Sequence, residues 1–243
     1  MSAPERLDRL LSRIAYGARK DVAVWVKQGR ITVAGHPATS PSQKVAPAEV
    51  RFDDEPLDHP DGLTLVYHKP LGSVCSHKET GRLIYEDFPE HWQERKPQLA
   101  SVGRLDKETS GLLILTDDGQ LNHHLTSPRH HVPKIYRARL ARPLEGHEAA
   151  LFAAGKLLLE GEDTPCLPAE LKVLGECEAE LALHEGRYHQ VRRMFAAAGN
   201  HVEELARIGI GRLALADTGL AAGEFLTIEP AVLLAWIENG ERP

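Results

Sequence analysis

Three short stretches concentrate the side chains able to do chemistry. Gly103-Arg104-Leu105-Asp106-Lys107-Glu108-Thr109-Ser110-Gly111 sets one carboxylate, Asp106, among glycines and hydroxyls, in a loop whose backbone N–H groups can hold it. A carboxylate so placed serves as nucleophile or proton acceptor. Lys134-Ile135-Tyr136 puts an ammonium and a phenol two residues apart at the entry to a strand-like run, straight after the basic Arg129-His130-His131. Glu185-Gly186-Arg187-Tyr188-His189-Gln190-Val191-Arg192-Arg193-Met194 leads from a strand pattern into a helix. A helix starting near Tyr188 would make Tyr188 and Arg192 i, i+4 neighbours on one face. Taken singly, each stretch also has a plain structural reading: Asp106 as a turn residue, Tyr136 as a half-buried strand aromatic, Arg192 as a solvated helix cation.

A β-rich α+β frame is expected to position these groups. Strands are predicted over 63–68, 112–116, 135–140, 170–174, 180–184 and 226–228, with helices over 120–126, 146–154 and 188–198. Ahead of them, Leu7, Leu10, Leu11, Ile14 and Ala15 form one apolar helical stripe, with Arg6, Arg9 and Arg13 along its edge. Asp21 is placed to cap a second helix that ends at Gly29, and a strand and tight turn follow over 30–37. Segment 53–62, Asp-Asp-Glu-Pro-Leu-Asp-His-Pro-Asp-Gly, reads as a linker. The expected domains are therefore 1–58, linker included, and 63–238.

The charge is unevenly divided. The chain of 243 residues carries a formal −6, which argues against a generic polyanion binder. Yet residues 1–52 hold nine Lys or Arg against four Asp or Glu, a net +5 that leaves −11 for the remainder. The stretch 120–144 has five cations (Arg129, Lys134, Arg137, Arg139, Arg142) and no acid. Local patches, not averages, bind phosphate, unless acids distant in sequence fold over them. No apolar run approaches the roughly 18 residues of a membrane span. The amino terminus has no apolar h-region of a signal peptide. Cys75, Cys166 and Cys177 lack paired spacing and read as reduced thiols of a cytosolic protein.

Together the three stretches resemble the motifs of the RsuA-type pseudouridine synthases: Gly-Arg-Leu-Asp-x-x-Thr-Ser-Gly-Leu-Leu around Asp106, Lys-x-Tyr ending at Tyr136, and Gly-Arg-Tyr-His-Gln-Val-Arg-Arg-Met around Arg192. Lys69-Pro70-Leu71-Gly72 with Cys75-Ser76 resembles that family's first motif, with His68 where Asn is expected. Residues 5–52 resemble the S4 RNA-binding module that precedes the catalytic domain. The resemblance implies a small S4-like module followed by a mixed, mostly antiparallel sheet with flanking helices. It implies isomerisation of a uridine in 16S rRNA, uridine 516, to pseudouridine, inside a small-subunit assembly particle, by a cytoplasmic monomer that touches no membrane. Asp106 is by resemblance the catalytic carboxylate and Arg192 the cation that keeps it ionised. Tyr136 would stack on the flipped uracil and act as base for the C5 proton, and Arg104 would fill the gap left in the RNA stack. RNA-binding candidates are Arg6, Arg9, Arg13, Arg19, Lys20, Lys27, Arg129, Lys134 and Arg187. The reaction gains and loses no electrons and consumes no water, so no cofactor or metal is expected.

Other readings compete. His123-His124 and His130-His131 invite zinc, without H-E-x-x-H or Cys pairing in support. Asp106 with Asp117 or Asp118 suggests a two-carboxylate hydrolase, although Asp117-Asp118-Gly119 has the form of a turn. A 23S-directed synthase, or a non-catalytic S4-type RNA-binding or ribosome-assembly protein, would share much of the pattern. An intact Asp106, Tyr136 and Arg192 argues against the binder, which needs no carboxylate. Ser127-Pro128-Arg129-His130-His131 and residues 194–202 resemble the small-subunit enzyme more than its large-subunit relatives.

Overall fold

The apolar stripe near the amino terminus becomes the helix α1, Leu7–Arg13, whose Leu7, Leu10 and Leu11 are wholly buried together with Ile14 just beyond it, in a computed structural model that describes residues 3–77, 80–127 and 132–243. Ala15 has left the helix, at φ +67°. Helix α2, Arg19–Lys27, follows, and here the expectation for Asp21 needs correcting. Asp21 stands inside the first turn, and its carboxylate accepts the Ala18 N–H at 2.9 Å instead of capping from outside. The helices cover a small sheet in which β1 (Ile31–Val33) pairs antiparallel with β2 (Val50–Phe52). Val22, Ile31, Val45 and Val50 complete this core.

This first compact unit comprises Met1–Thr64, Tyr85–Ala100 and Thr116–Gly119. The polar segment 53–62 is therefore no free tether. Asp58 accepts hydrogen bonds from Trp92 Nε1 (2.5 Å) and His91 Nε2 (2.7 Å). Burial pushes the Asp58 carboxyl up, but those bonds outweigh it and leave the group below its ordinary value. The buried Arg95 donates to the carbonyls of Asp58 and His59 and to Asp117 Oδ2, at 3.3, 2.8 and 3.1 Å. Asp117 also accepts the Leu63 N–H at 2.8 Å. It is spent on structure, so the two-carboxylate reading loses one of its two candidates for the second member.

The second unit comprises Leu65–Ile84, Ser101–Leu115 and Gln120–Pro243. Its frame is a sheet built on β3 (Thr64–Lys69), β4 (Thr109–Thr116), β5 (Lys134–Leu140), β6 (Glu170–Gly175), β7 (Glu178–Leu183), β8 (Val202–Ile210) and β9 (Phe225–Thr227). Their order is β6-β7-β5-β8-β4-β3-β9. The β5–β7, β5–β8, β6–β7 and β3–β9 pairs are antiparallel, and β4–β8 is parallel. Strand β8 was not expected from the sequence, although it lies at the centre. One parallel contact depends on a glycine: a Cβ on Gly111, at φ +110°, would sit 2.2 Å from the Arg207 carbonyl oxygen.

Helices α3 (Gly119–Thr126), α4 (Glu148–Ala153), α5 (Gln190–Ala197) and α6 (Pro230–Asn239) flank the sheet. Phe152 of α4 packs edge-on to Phe195 of α5 over β5 and β7, while Leu233, Trp236 and Ile237 of α6 close a second cluster with Leu112 and Ile114. Among the described residues no helix is long and apolar enough to cross a membrane.

Candidate active site

The loop carrying Asp106 is held from three sides. Lys69, wholly buried at the end of β3, donates from Nζ to the carbonyls of Asp106 (3.1 Å), Thr109 (2.9 Å) and Pro70 (3.1 Å). Desolvation lowers the Lys69 ammonium below its ordinary value, against the partly offsetting pull of Cys75, Asp106 and Glu108. The Gly72 N–H bonds the Lys107 carbonyl at 2.8 Å. Arg192, on α5, donates to the Glu108 carbonyl at 2.9 Å and to that of Val202 at 2.7 Å. The Lys-Pro-Leu-Gly motif is thus a prop under the Asp106 loop, and His68 is occupied by the Leu220 carbonyl at 2.9 Å.

Asp106 lies 3.4 Å from His189 Nε2, and both side chains are about one-third exposed, at 32% and 37%. Among the described residues the side chain that approaches its carboxylate is that of His189, which the sequence reading did not single out. Arg192 grips the loop through carbonyls and makes no ion pair with the Asp106 carboxylate. His189 is the residue before α5, in the left-handed conformation at φ +49°, and its ring stacks on Tyr188 with centroids 3.9 Å apart. Because α5 starts at Gln190, Tyr188 is not on its face, and the expected i, i+4 pairing with Arg192 does not form. The left-handed turn at His189 starts the helix too late for that pairing.

Arg104, Asp106, Lys134, Tyr136, His189 and Arg207 line one cleft of about 420 Å³. Tyr136 and Lys134 stand two apart on β5, so alternation puts them on the same face, and Tyr136 is in register with Arg207 of β8. Lys134 is half-buried, and its Nζ donates to the Leu125 carbonyl at 3.3 Å. Burial and the charge of Arg207 bring its ammonium down to about 8. Arg207 itself is 2% exposed, its Nε bonded to the Leu112 carbonyl at 2.8 Å. Its Nη2 and the Thr109 Oγ1 have no hydrogen-bond partner among the described residues. A buried unpaired donor costs roughly 1–3 kcal/mol. Sequence reasoning passed over Arg207 because it passed over β8; a cation in an otherwise apolar strand end, Leu-Ala-Arg-Ile-Gly-Ile, was the available signal.

Several expected RNA contacts are occupied within the protein. Arg187 bonds Glu185 (3.0 Å) and the carbonyls of Thr164 and Pro165, tying down that loop. In the acid-free run, Arg137 pairs with Glu180 at 2.8 Å, and Arg139 with Glu203 and Glu204. The acids come from neighbouring strands. In the first unit Arg6 pairs with Asp8 and Arg13 with Glu5, both at 2.8 Å, and Arg13 also bonds the Pro60 carbonyl. Among the described residues Arg9 makes only a long 3.8 Å pair with Glu5. Arg19, Lys20 and Lys27 are exposed on one side of α2, without an ion-pair partner among the described residues. Arg129, with the Pro128-Arg129-His130-His131 part of the small-subunit-like wording, lies outside the described residues. His124 meets Glu238 at 3.1 Å, and no group of three or more metal-ligating side chains occurs among the described residues.

Residues 63–197 match the family described as RNA pseudouridylate synthase, and residues 5–50 match the S4 domain. The Pasteurella multocida protein named ribosomal small subunit pseudouridine synthase A is 42% identical over 229 residues, covering 92% of this chain and 95% of that protein. The Escherichia coli K12 protein of the same name is 39% identical, with coverage of 90% and 94%. A crystal structure of a pseudouridylate synthase aligns over 93% of this chain and 97% of its own, at TM-score 0.64 and 37% identity.

Proposed function

Because the chain belongs to the RNA pseudouridylate synthase family and carries an S4 domain, we propose that it converts uridine 516 of 16S ribosomal RNA to pseudouridine, with Asp106 as the catalytic carboxylate. The observation that carries this reading is the meeting of Asp106 and Tyr136 in one cleft whose size, about 420 Å³, falls in the usual range for ligand pockets. The choice of small-subunit RNA is supported by the names of relatives that match this chain nearly end to end.

The reaction breaks the C1′–N1 bond, turns the uracil and rejoins it through C5. Asp106 attacks C1′ or takes a C2′ proton; either way the glycosidic electron pair stays on the base. Tyr136 stacks on the ring and takes the C5 proton. Arg192 acts as a positioning residue, through the Glu108 carbonyl. Arg104, exposed at the cleft, fills the gap left by the flipped base. Residues 1–58 supply affinity, with α2 as the phosphate-facing element, and residues 63–238 supply the chemistry. The substrate is 16S rRNA folded in a cytoplasmic assembly particle, met by a single copy of the chain, since a lone uridine carries no address.

Ribosomal RNA labelled with tritium at uridine C5 tests the proposal, because forming the C5–C1′ bond releases the label. Release from 16S rRNA in small-subunit particles is expected, with little from a short stem-loop of the same sequence. Release from 23S rRNA alone overturns the substrate, and equal rates on the stem-loop overturn the need for a particle.

A further inference from the structure

Two cations in the cleft have no ion-pair partner among the described residues. Arg207 and Lys134 make no ion pair with any described residue, yet they lie close enough for the charge of Arg207 to disfavour the Lys134 ammonium. Arg207 is almost wholly buried, with an unpartnered Nη2; one strand away, Thr109 adds an unpartnered Oγ1. The β4–β8 register sets Leu205 opposite Thr109 and Arg207 opposite Gly111, so Thr109 and Arg207 share the cleft face. On the other side Arg207 is in register with Tyr136. Like charges held together with unfilled donors complement a negative charge that the protein does not itself provide.

We propose that Arg207 and Lys134 stabilise the departing uracil as its anion. This rests on the isomerase reading above. When the C1′–N1 bond breaks, its electron pair moves onto the ring and spreads over N1, O2 and O4. Asp106 meanwhile either bonds C1′ or accepts the C2′ proton. The pair then returns as the C5–C1′ bond while the Asp106–C1′ bond breaks or Asp106 gives the proton back to C2′; one proton leaves C5 and one arrives at N1. The ring carries most charge between these two bond changes. Cations placed beside Tyr136, the stacking residue, meet it there and are worth more in that interval than in the ground state.

The test varies the leaving group. Single-turnover rates of loss of the N1-linked nucleoside are measured on 16S rRNA particles bearing uridine or 5-fluorouridine at the target position, by nuclease digestion and mass spectrometry. Fluorine makes the departing ring less basic, so it needs less help. Arg207→Gln and Lys134→Gln should slow the uridine substrate about 100-fold or more, the scale of losing one oxyanion-type donor. They should slow the fluorinated substrate about 10-fold or less, with RNA affinity within about threefold of wild type. Lys134→Arg should recover most of the rate. Equal losses on both substrates, or weakened RNA binding at unchanged rate, overturn the proposal. Should Arg207→Gln fail to fold by circular dichroism, the half-buried Lys134 variants carry the same two outcomes. A wild-type protein that forms no pseudouridine contradicts the isomerase reading itself, whereas an active wild type with equally slowed variants contradicts only this inference.

Discussion

Lys134 has to stay charged to do what its position suggests, and its ammonium is held down to about 8 by burial and by Arg207. Single-turnover turnover of uridine should therefore fall as pH rises through about 8. The other titratable groups lining the cleft are Asp106, Tyr136, His184, Glu185, Tyr188 and His189, with Arg104, Arg187 and Arg207 as fixed cations. The stability contribution of Lys134 has the opposite sign. Its folded value lies below the ordinary one, so the unfolded chain binds more protons between the two and stability rises with pH across that window. A rate that stays flat to pH 10 in wild type, and matches Lys134→Arg throughout, would contradict this. Tyr136→Phe keeps the ring and loses the hydroxyl; it should bind RNA within about threefold of wild type and lose about 100-fold or more in product formation. Near-normal turnover by the Phe variant would restrict Tyr136 to stacking. Asp106, Tyr136 and Lys134 stood out as candidates because their types and spacing are local facts, and the roles expected of Asp106 and Tyr136 came from the family resemblance. His189 was not, since its approach to Asp106 depends on a left-handed turn before α5.

Elements were legible where a periodic stripe faced one core. Helix α1 is the clear case, its three leucines all wholly buried together with Ile14 just beyond it. Strand β8 escaped because Glu203, Glu204 and Arg207 break the apolar alternation: the two acids pair with Arg139 across the sheet, and Arg207 turns into the cleft. Helix α6 had its signals in plain view, Pro230 at its first turn and Gly240 left-handed at its end, although no helix was expected there. The β4–β8 contact gives the element-scale expectation. Gly111→Ala would press a Cβ to 2.2 Å from a backbone oxygen at a φ of +110°. It should destabilise the protein by about 3 kcal/mol or more. Urea denaturation measures this, and an unchanged midpoint with an unchanged slope would contradict the register described here.

For the molecule as a whole, the uneven charge was legible as a +5 amino-terminal segment, while the pairing of that charge was not. Arg6, Arg13 and Arg30 are taken up by Asp8, Glu5 and Asp53; of the six cations that remain, Arg9, Lys44 and Arg51 lie apart from α2, and Arg19, Lys20 and Lys27 lie together on it. Replacing these three by Gln should reduce the slope of log affinity against log salt by roughly 2–3, and leave turnover at saturating RNA unchanged. An unaltered slope would move the RNA surface elsewhere. The proposed reaction makes one pseudouridine in 16S rRNA through Asp106. Its most direct test is nucleotide-resolution mapping of pseudouridine in 16S and 23S rRNA from cells lacking the chain and supplied with wild type or Asp106→Asn at equal level. Modification of uridine 516 by wild type, none by Asp106→Asn and an unchanged 23S pattern is the expected result; modification restored by Asp106→Asn, or position 516 left unmodified by wild type, would contradict it.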